Sequence, residues 1–215
     1  MKPALTWGAL ALLLLSPLAA AKPIAFARGK TVMAEYGAGT MNEFQFFYAP
    51  TYWSSVGVGW TQLNSEDGDI DRSFSYVRGS LLAHRWNLPG AQANVFAWGG
   101  LGRASGTGVD GEVSRVVGAQ FDFETRRVYA SFKTDLQETG HSSNRVDTLQ
   151  LGWAPYAHEY DTLATWIVVQ GRNYTGGIYD GTETALLLRL FKGGTWVEAG
   201  VTADRKFQAM AMFNF

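Results

Sequence analysis

The sequence predicts an all-β protein, a single antiparallel transmembrane β-barrel of about twelve strands, with ten as the alternative if the segments before Tyr48 do not pair. Three observations predict it. Apolar and polar side chains alternate with a period of two along most of the chain, which is the period that sends successive side chains to opposite faces of a strand. Beyond the first residues no apolar run reaches the roughly 18 to 20 residues of a spanning helix, and the longest, Ala185 to Leu190, is far shorter. Short and longer turn-like links succeed one another in the order expected of a barrel with both ends on one side.

The alternation is clearest in three segments. Phe207, Ala209, Ala211, Phe213 and Phe215 share one face, opposite Lys206, Gln208 and Asn214. Val117, Ala119, Phe121 and Phe123 alternate with Gly118, Gln120, Asp122 and Glu124; Val128, Ala130, Phe132 and Leu136 alternate with Tyr129, Ser131, Lys133 and Asp135. In a soluble sandwich the apolar face turns inward, and in a membrane barrel it turns outward, so the period alone leaves both open.

Short links are expected at Ala49-Pro50-Thr51, Asn87 to Gly90, Glu124 to Arg127, Pro155 to Tyr160 and Lys192 to Gly194. Longer links are expected at Asn64 to Arg72, Ala104 to Glu112, Thr139 to Asn144 and Thr175 to Thr182, with brief breaks at Gly37 to Thr40 and Asp204-Arg205 on the same side. The segments between them run roughly 9 to 13 residues, near the length of a tilted strand that crosses a bilayer. Tyr48, Trp53, Trp60, Trp86, Trp153, Tyr156 and Tyr174 fall near the expected strand ends, where interfacial girdles hold aromatic rings.

Composition narrows the class. The 215 residues fit one domain, charged residues are 17% of the chain, and the formal charge of −1 comes without a basic block, which argues against nucleic acid as a partner. Lys2, the apolar run Ala9 to Leu15 and Ala19-Ala20-Ala21 have the order of a secretory signal, residues 1–21. Ala25-Phe26-Ala27 offers a second cleavage site, after Ala27. A short periplasmic leader over 22–29 and a barrel over 30–215 would follow. Without cysteine there is neither a disulfide framework nor an acylated anchor, so a membrane-held chain would be held by its own fold.

The alternating strand Phe207-x-Ala209-x-Ala211-x-Phe213-x-Phe215 resembles the closing strand of Gram-negative outer-membrane β-barrel proteins. The resemblance implies location in the cell outer membrane, contact with its lipids, and recognition of that strand by the barrel-assembly machinery. On this arrangement the lumen would receive Glu35, Glu43, Arg78, His84, Gln92, Asn94, Gln120, Asp122, Glu124, Lys133, Asp135, Gln150, Gln170, Arg172, Glu183, Arg189 and Glu198. Both signs are interspersed, which suggests ion pairing rather than the ring of one sign that a selective pore uses. Phe96, Trp98, Tyr129, Trp196 and Met210 would narrow the interior further. The expected function is therefore that of a non-enzymatic barrel, structural or a narrow pore.

His84, His141 and His158 lack metal-site spacing, and Gly99-Gly100-Leu101-Gly102 and Gly106-Thr107-Gly108 lack the lysine and helix of a phosphate loop, so no metal or cofactor is expected. His141-Ser142-Ser143-Asn144 resembles the H-x-S-N signature of two outer-membrane lipid hydrolases, a phospholipase A and a lipid A deacylase. That resemblance implies His141 as general base and Ser143 as nucleophile, with Asp147 and Glu159 near enough in sequence to orient the base. A polar hairpin turn uses the same residues, and no catalytic residue is assigned on this motif. A soluble periplasmic β-barrel binding a small apolar ligand is the remaining alternative.

Overall fold

The computed structural model describes residues 28–159 and 161–215. The expected signal segment and the start of the leader lie outside the described residues. Twelve strands form one closed antiparallel barrel: β1 (Gly29–Gly37), β2 (Met41–Thr51), β3 (Ser54–Asn64), β4 (Asp71–Leu88), β5 (Ala91–Gly106), β6 (Val109–Thr125), β7 (Val128–Glu138), β8 (Ser143–Trp153), β9 (Ala164–Thr175), β10 (Gly181–Lys192), β11 (Thr195–Thr202) and β12 (Phe207–Asn214). Each strand pairs with its sequence neighbours, and β1 closes on β12 from Thr31↔Asn214 to Gly37↔Gln208. Both ends of the strand order lie at the same rim. The turns 52–53, 89–90, 126–127, 154–163 and 193–194 share that rim, and the other links form the opposite one.

The expected parity of the links is therefore present, but two lengths differ. The stretch 104–112, expected as a long loop, is a two-residue turn at Thr107-Gly108, and β5 and β6 continue through most of it. Gly108 takes φ of 72°, the left-handed conformation that tight hairpin turns require. As a result β4, β5 and β6 reach 18, 16 and 17 residues, well beyond the expected strand length. The link after β8, expected to be short, is the ten-residue segment 154–163.

Alternation sends polar side chains inward and apolar ones outward. Glu43, Gln45, Arg78, Asn94, Gln120, Asp122, Gln170, Arg172, Arg189 and Glu198 are buried inside, while Val58, Val77, Leu101, Val117, Phe121, Leu149, Leu151, Ile167, Val169, Leu186, Leu188 and Phe213 are exposed outside. His84 is the exception among the expected inward residues. A bulge between Leu82 and His84 shifts the phase of β4, so the His84 ring lies beside Trp86 on the exposed side and Arg85 turns toward Asn94 instead. Tyr174, expected at an interfacial girdle, faces inward and is 3% exposed. The exposed rings of Tyr48, Trp53, Trp86, Trp153 and Tyr156 do gather at the rim that holds the termini.

Two apolar clusters fill parts of the lumen. One combines Met41, Leu63, Phe74, Tyr76, Phe96, Trp98, Val109, Val146 and Tyr174; the other combines Tyr129, Trp166, Val168, Leu187, Phe191, Trp196 and Met212. Large rings fit because neighbouring strands present glycine beneath them. A Cβ on Gly59 would lie 2.3 Å from the Tyr76 ring, and one on Gly118 would lie 2.4 Å from Trp98 Nε1. At the opposite rim, outside the strands, the Ser65 hydroxyl and the Asp69 amide hold the Asp67 carboxyl below the usual carboxylate range.

Gly118→Ala should displace Trp98 and break its bond to Asp135, lowering stability by about 1–3 kcal/mol, as overpacking does. Thermal unfolding followed by tryptophan fluorescence checks this. Gly99→Ala, where an added Cβ meets nothing within 4 Å, should unfold at the wild-type temperature.

Candidate functional site inside the barrel

Between the two apolar clusters the strands converge on a belt of charged and amide side chains. Period-two alternation delivers them: Glu43 and Gln45 from β2, Arg78 from β4, Gln120 and Asp122 from β6, Lys133 and Asp135 from β7, Gln150 from β8, Gln170 and Arg172 from β9, Arg189 from β10 and Glu198 from β11. A charge taken from water is costly unless it meets an opposite charge or a set of hydrogen bonds. The belt meets that requirement group by group, with Arg78 the exception.

Arg189, 2% exposed, donates through Nε to Glu198 Oε1 at 2.9 Å and through Nη2 to Gln150 Oε1 at 2.6 Å. Its guanidinium lies 4.6 Å from the Tyr129 ring centre and 4.2 Å from that of Trp196, whose Nε1 also donates to Glu198. Arg172 pairs with Glu35 across the lumen, and Lys133 pairs with Asp135 at 2.9 Å. Trp98 Nε1 donates to Asp135 at 2.9 Å. Three neutral donors, Gln45, Thr61 and Tyr76, converge on Glu43. Thr40 and Tyr174 hold Glu183, and Asn94 and Gln120 hold Asp122.

Arg78 is held differently. Its Nη2 donates to Gln45 Oε1 at 3.1 Å, and Phe47, Trp98 and Tyr76 surround its guanidinium at 4.7, 5.1 and 5.7 Å. Arg78, Lys133, Arg172, Glu35, Glu198 and several amides line a central cavity of about 100 Å³. Among the described residues no group of three or more His, Cys, Asp or Glu side chains is arranged to hold a metal ion.

The hydrolase-like residues lie elsewhere, on the rim away from the termini. His141, in the turn 139–142, contacts Glu112 of β6 through Nδ1 at 2.8 Å, and its side chain is 79% exposed. Neither acid expected to orient it does so. Asp147 pairs with Arg145 at 3.0 Å, and Glu159 pairs with Arg126 at the other rim. No hydrogen bond joins His141 to Ser143 among the described residues, and Ser142 is the serine that meets Thr139. The Glu112 contact was hidden because the stretch 104–112 reads as loop. Two-residue turn chemistry at Thr107-Gly108 is the signal that places Glu112 on an extended hairpin beside His141.

No protein-family model, curated protein or solved structure matches this chain. What the interior does must therefore be read from its own geometry. Fixed pairs of both signs, with bulky rings on either side, form a braced polar core rather than a channel lined by one charge.

Replacing Glu35 by Leu should destabilise the fold by roughly 3–5 kcal/mol, because Arg172 is then left buried without its carboxylate. Arg172→Met should cost a similar amount, and the double variant should recover most of the loss. A double-mutant cycle by chemical denaturation checks this; strictly additive losses would mean that the pair is not coupled.

Proposed function

We propose that the protein is an integral outer-membrane β-barrel that acts without enzymatic chemistry, as a structural element or a narrow pore with a polar, charge-paired lumen. The direction of the alternation carries this reading. A closed sheet with polar groups inside and Val, Leu, Ile and Phe outside suits a surrounding hydrocarbon phase. In water, each large apolar side chain left outside would forgo about 1.5–3 kcal/mol of burial free energy.

The edges of the apolar surface support the same reading. At the rim of the termini the rings of Tyr48, Trp53, Trp86, Trp153 and Tyr156 are about half exposed, as at a membrane interface. Arg127 lies 5.6 Å from the Trp153 ring there, which suits a cation at headgroup depth. Toward the other rim the outer face changes to Arg115, Glu138, Arg145 and Asp147. An apolar ligand of the kind a soluble barrel carries would meet Glu35, Arg78, Lys133, Arg172 and Glu198 in the lining of the central cavity.

A second reading, an outer-membrane lipid hydrolase, is favoured by the Glu112 contact at His141, since a carboxylate on the far ring nitrogen is what orients a general base. The unengaged Ser143 weighs against it. Purified protein should release no fatty acid from phospholipid or lipid A above background. Release that disappears in both His141→Ala and Ser143→Ala, with folding intact, would overturn the non-enzymatic reading.

The membrane reading predicts that Leu151→Arg and Val169→Arg, on the apolar outer face, each cost roughly 2–4 kcal/mol of folding into lipid vesicles. The folded fraction is read from heat-modifiable gel migration after refolding. Lys192→Gln, near the rim, should fold as the wild type does. Normal folding of both arginine variants would mean that this face does not meet lipid.

A further inference from the structure

We infer that the central cavity is a binding site for a small monovalent anion of chloride or formate size, with Arg78 as its cationic anchor. Arg78 is 4% exposed and lines the cavity. The other cations of the belt each have a carboxylate within salt-bridge distance: Glu35 at Arg172, Glu198 at Arg189 and Asp135 at Lys133. Arg78 has none. Among the described residues its hydrogen-bond partner is the neutral amide oxygen of Gln45, and its buried Nε has no acceptor.

A guanidinium in this position is held but not neutralised. Phe47, Tyr76 and Trp98 fix its plane by cation–π contact and keep water from its faces. Gln45 cannot swing away, because its amide nitrogen is bonded to Glu43 and to Tyr76 Oη. Glu43, bonded to the same Gln45, is already satisfied by Gln45, Tyr76 and Thr61. The Arg78 guanidinium, short of an acceptor and of a carboxylate of its own, is therefore the cation of the cavity lining left to an outside anion.

The opposite wall supplies a complement. Thr148, whose buried hydroxyl has no hydrogen-bond partner among the described residues, borders the same cavity, as does Gln120. Size and charge set the ligand class. About 100 Å³ admits a halide or a very small carboxylate with some water. Glu35 and Glu198, which line the same cavity, disfavour a second negative charge, so sulfate or phosphate would be rejected.

The site is tested in detergent micelles with refolded protein, by equilibrium dialysis of radiolabelled chloride and competition with formate at constant ionic strength in a gluconate background. Saturable binding of one chloride per chain is expected, displaced by formate and not by sulfate. Arg78→Met should weaken it by roughly 30-fold or more, as loss of a buried charge partner does. Thr148→Val should weaken it several-fold, while Arg145→Gln on the outer face should bind as the wild type does. Should Arg78→Met fail to fold, Thr148→Val decides. No saturable chloride binding, or unchanged affinity in Thr148→Val, would overturn the site. The measurement needs no bilayer, so its failure is distinguishable from failure of the membrane reading.

Discussion

The hydrogen-bonded seam between β1 and β12 is the constraint on which the other features depend. An open antiparallel sheet exposes two rows of unpaired N–H and C=O groups, and a ring leaves none. Here Lys30 N–H donates to Phe215 O and Phe215 N–H returns a bond to Lys30 O, so pairing continues past the last registered residues. Once the backbone is satisfied within the ring, side chains alone decide which medium each face can meet. A structure of this kind is one of only two that tolerate hydrocarbon around them.

Closure also creates an interior that must be filled. Twelve strands enclose more space than the eight that side chains fill easily. Two devices reduce it. Rings lean across the pleat over glycines on the next strand, as Tyr76 does over Gly59 and Trp98 over Gly118. Arginines then use those rings as faces: Arg189 between Tyr129 and Trp196, and Arg78 among Phe47, Tyr76 and Trp98. Apolar filling and charge burial are in this way one arrangement, since the aromatic surface that occupies volume also stabilises the cations.

The strand count, the order of the links and nearly all of the inward side chains were legible in the sequence, because a period of two carries face assignment directly once a strand is located. It fails where the period is interrupted. The bulge after Leu82 adds a residue without changing the polar character of the stretch, so His84 reads as inward and is not. Tyr174 lies near a strand end, as an interfacial ring would, yet its phase matches Arg172 and turns it to Glu183. Pairing across the lumen was beyond reach. Glu35 and Arg172 are 137 positions apart, and Glu112 meets His141 only because β5 and β6 extend as a hairpin. Residue types can show that an interior needs ion pairs without showing which residues make them.

Those cross-lumen ties bear on whether the barrel conducts. In ring order β10, β11 and β12 separate β9 from β1, so the Arg172–Glu35 pair spans the interior instead of stitching adjacent strands. Trp98 of β5 reaches Asp135 of β7, Arg189 of β10 reaches Gln150 of β8, and Thr40 of the first turn reaches Glu183 of β10. Opening a path along the axis would require several of these to separate together, each leaving a buried charge or donor without a partner, at about 1–3 kcal/mol for a neutral group and more for a charged one. The rings above and below would also have to leave positions that the underlying glycines shape for them. Such a lumen behaves as a core. On the proposed reading, an axial path would open only if these braces loosened together, which weights the structural alternative over the narrow pore.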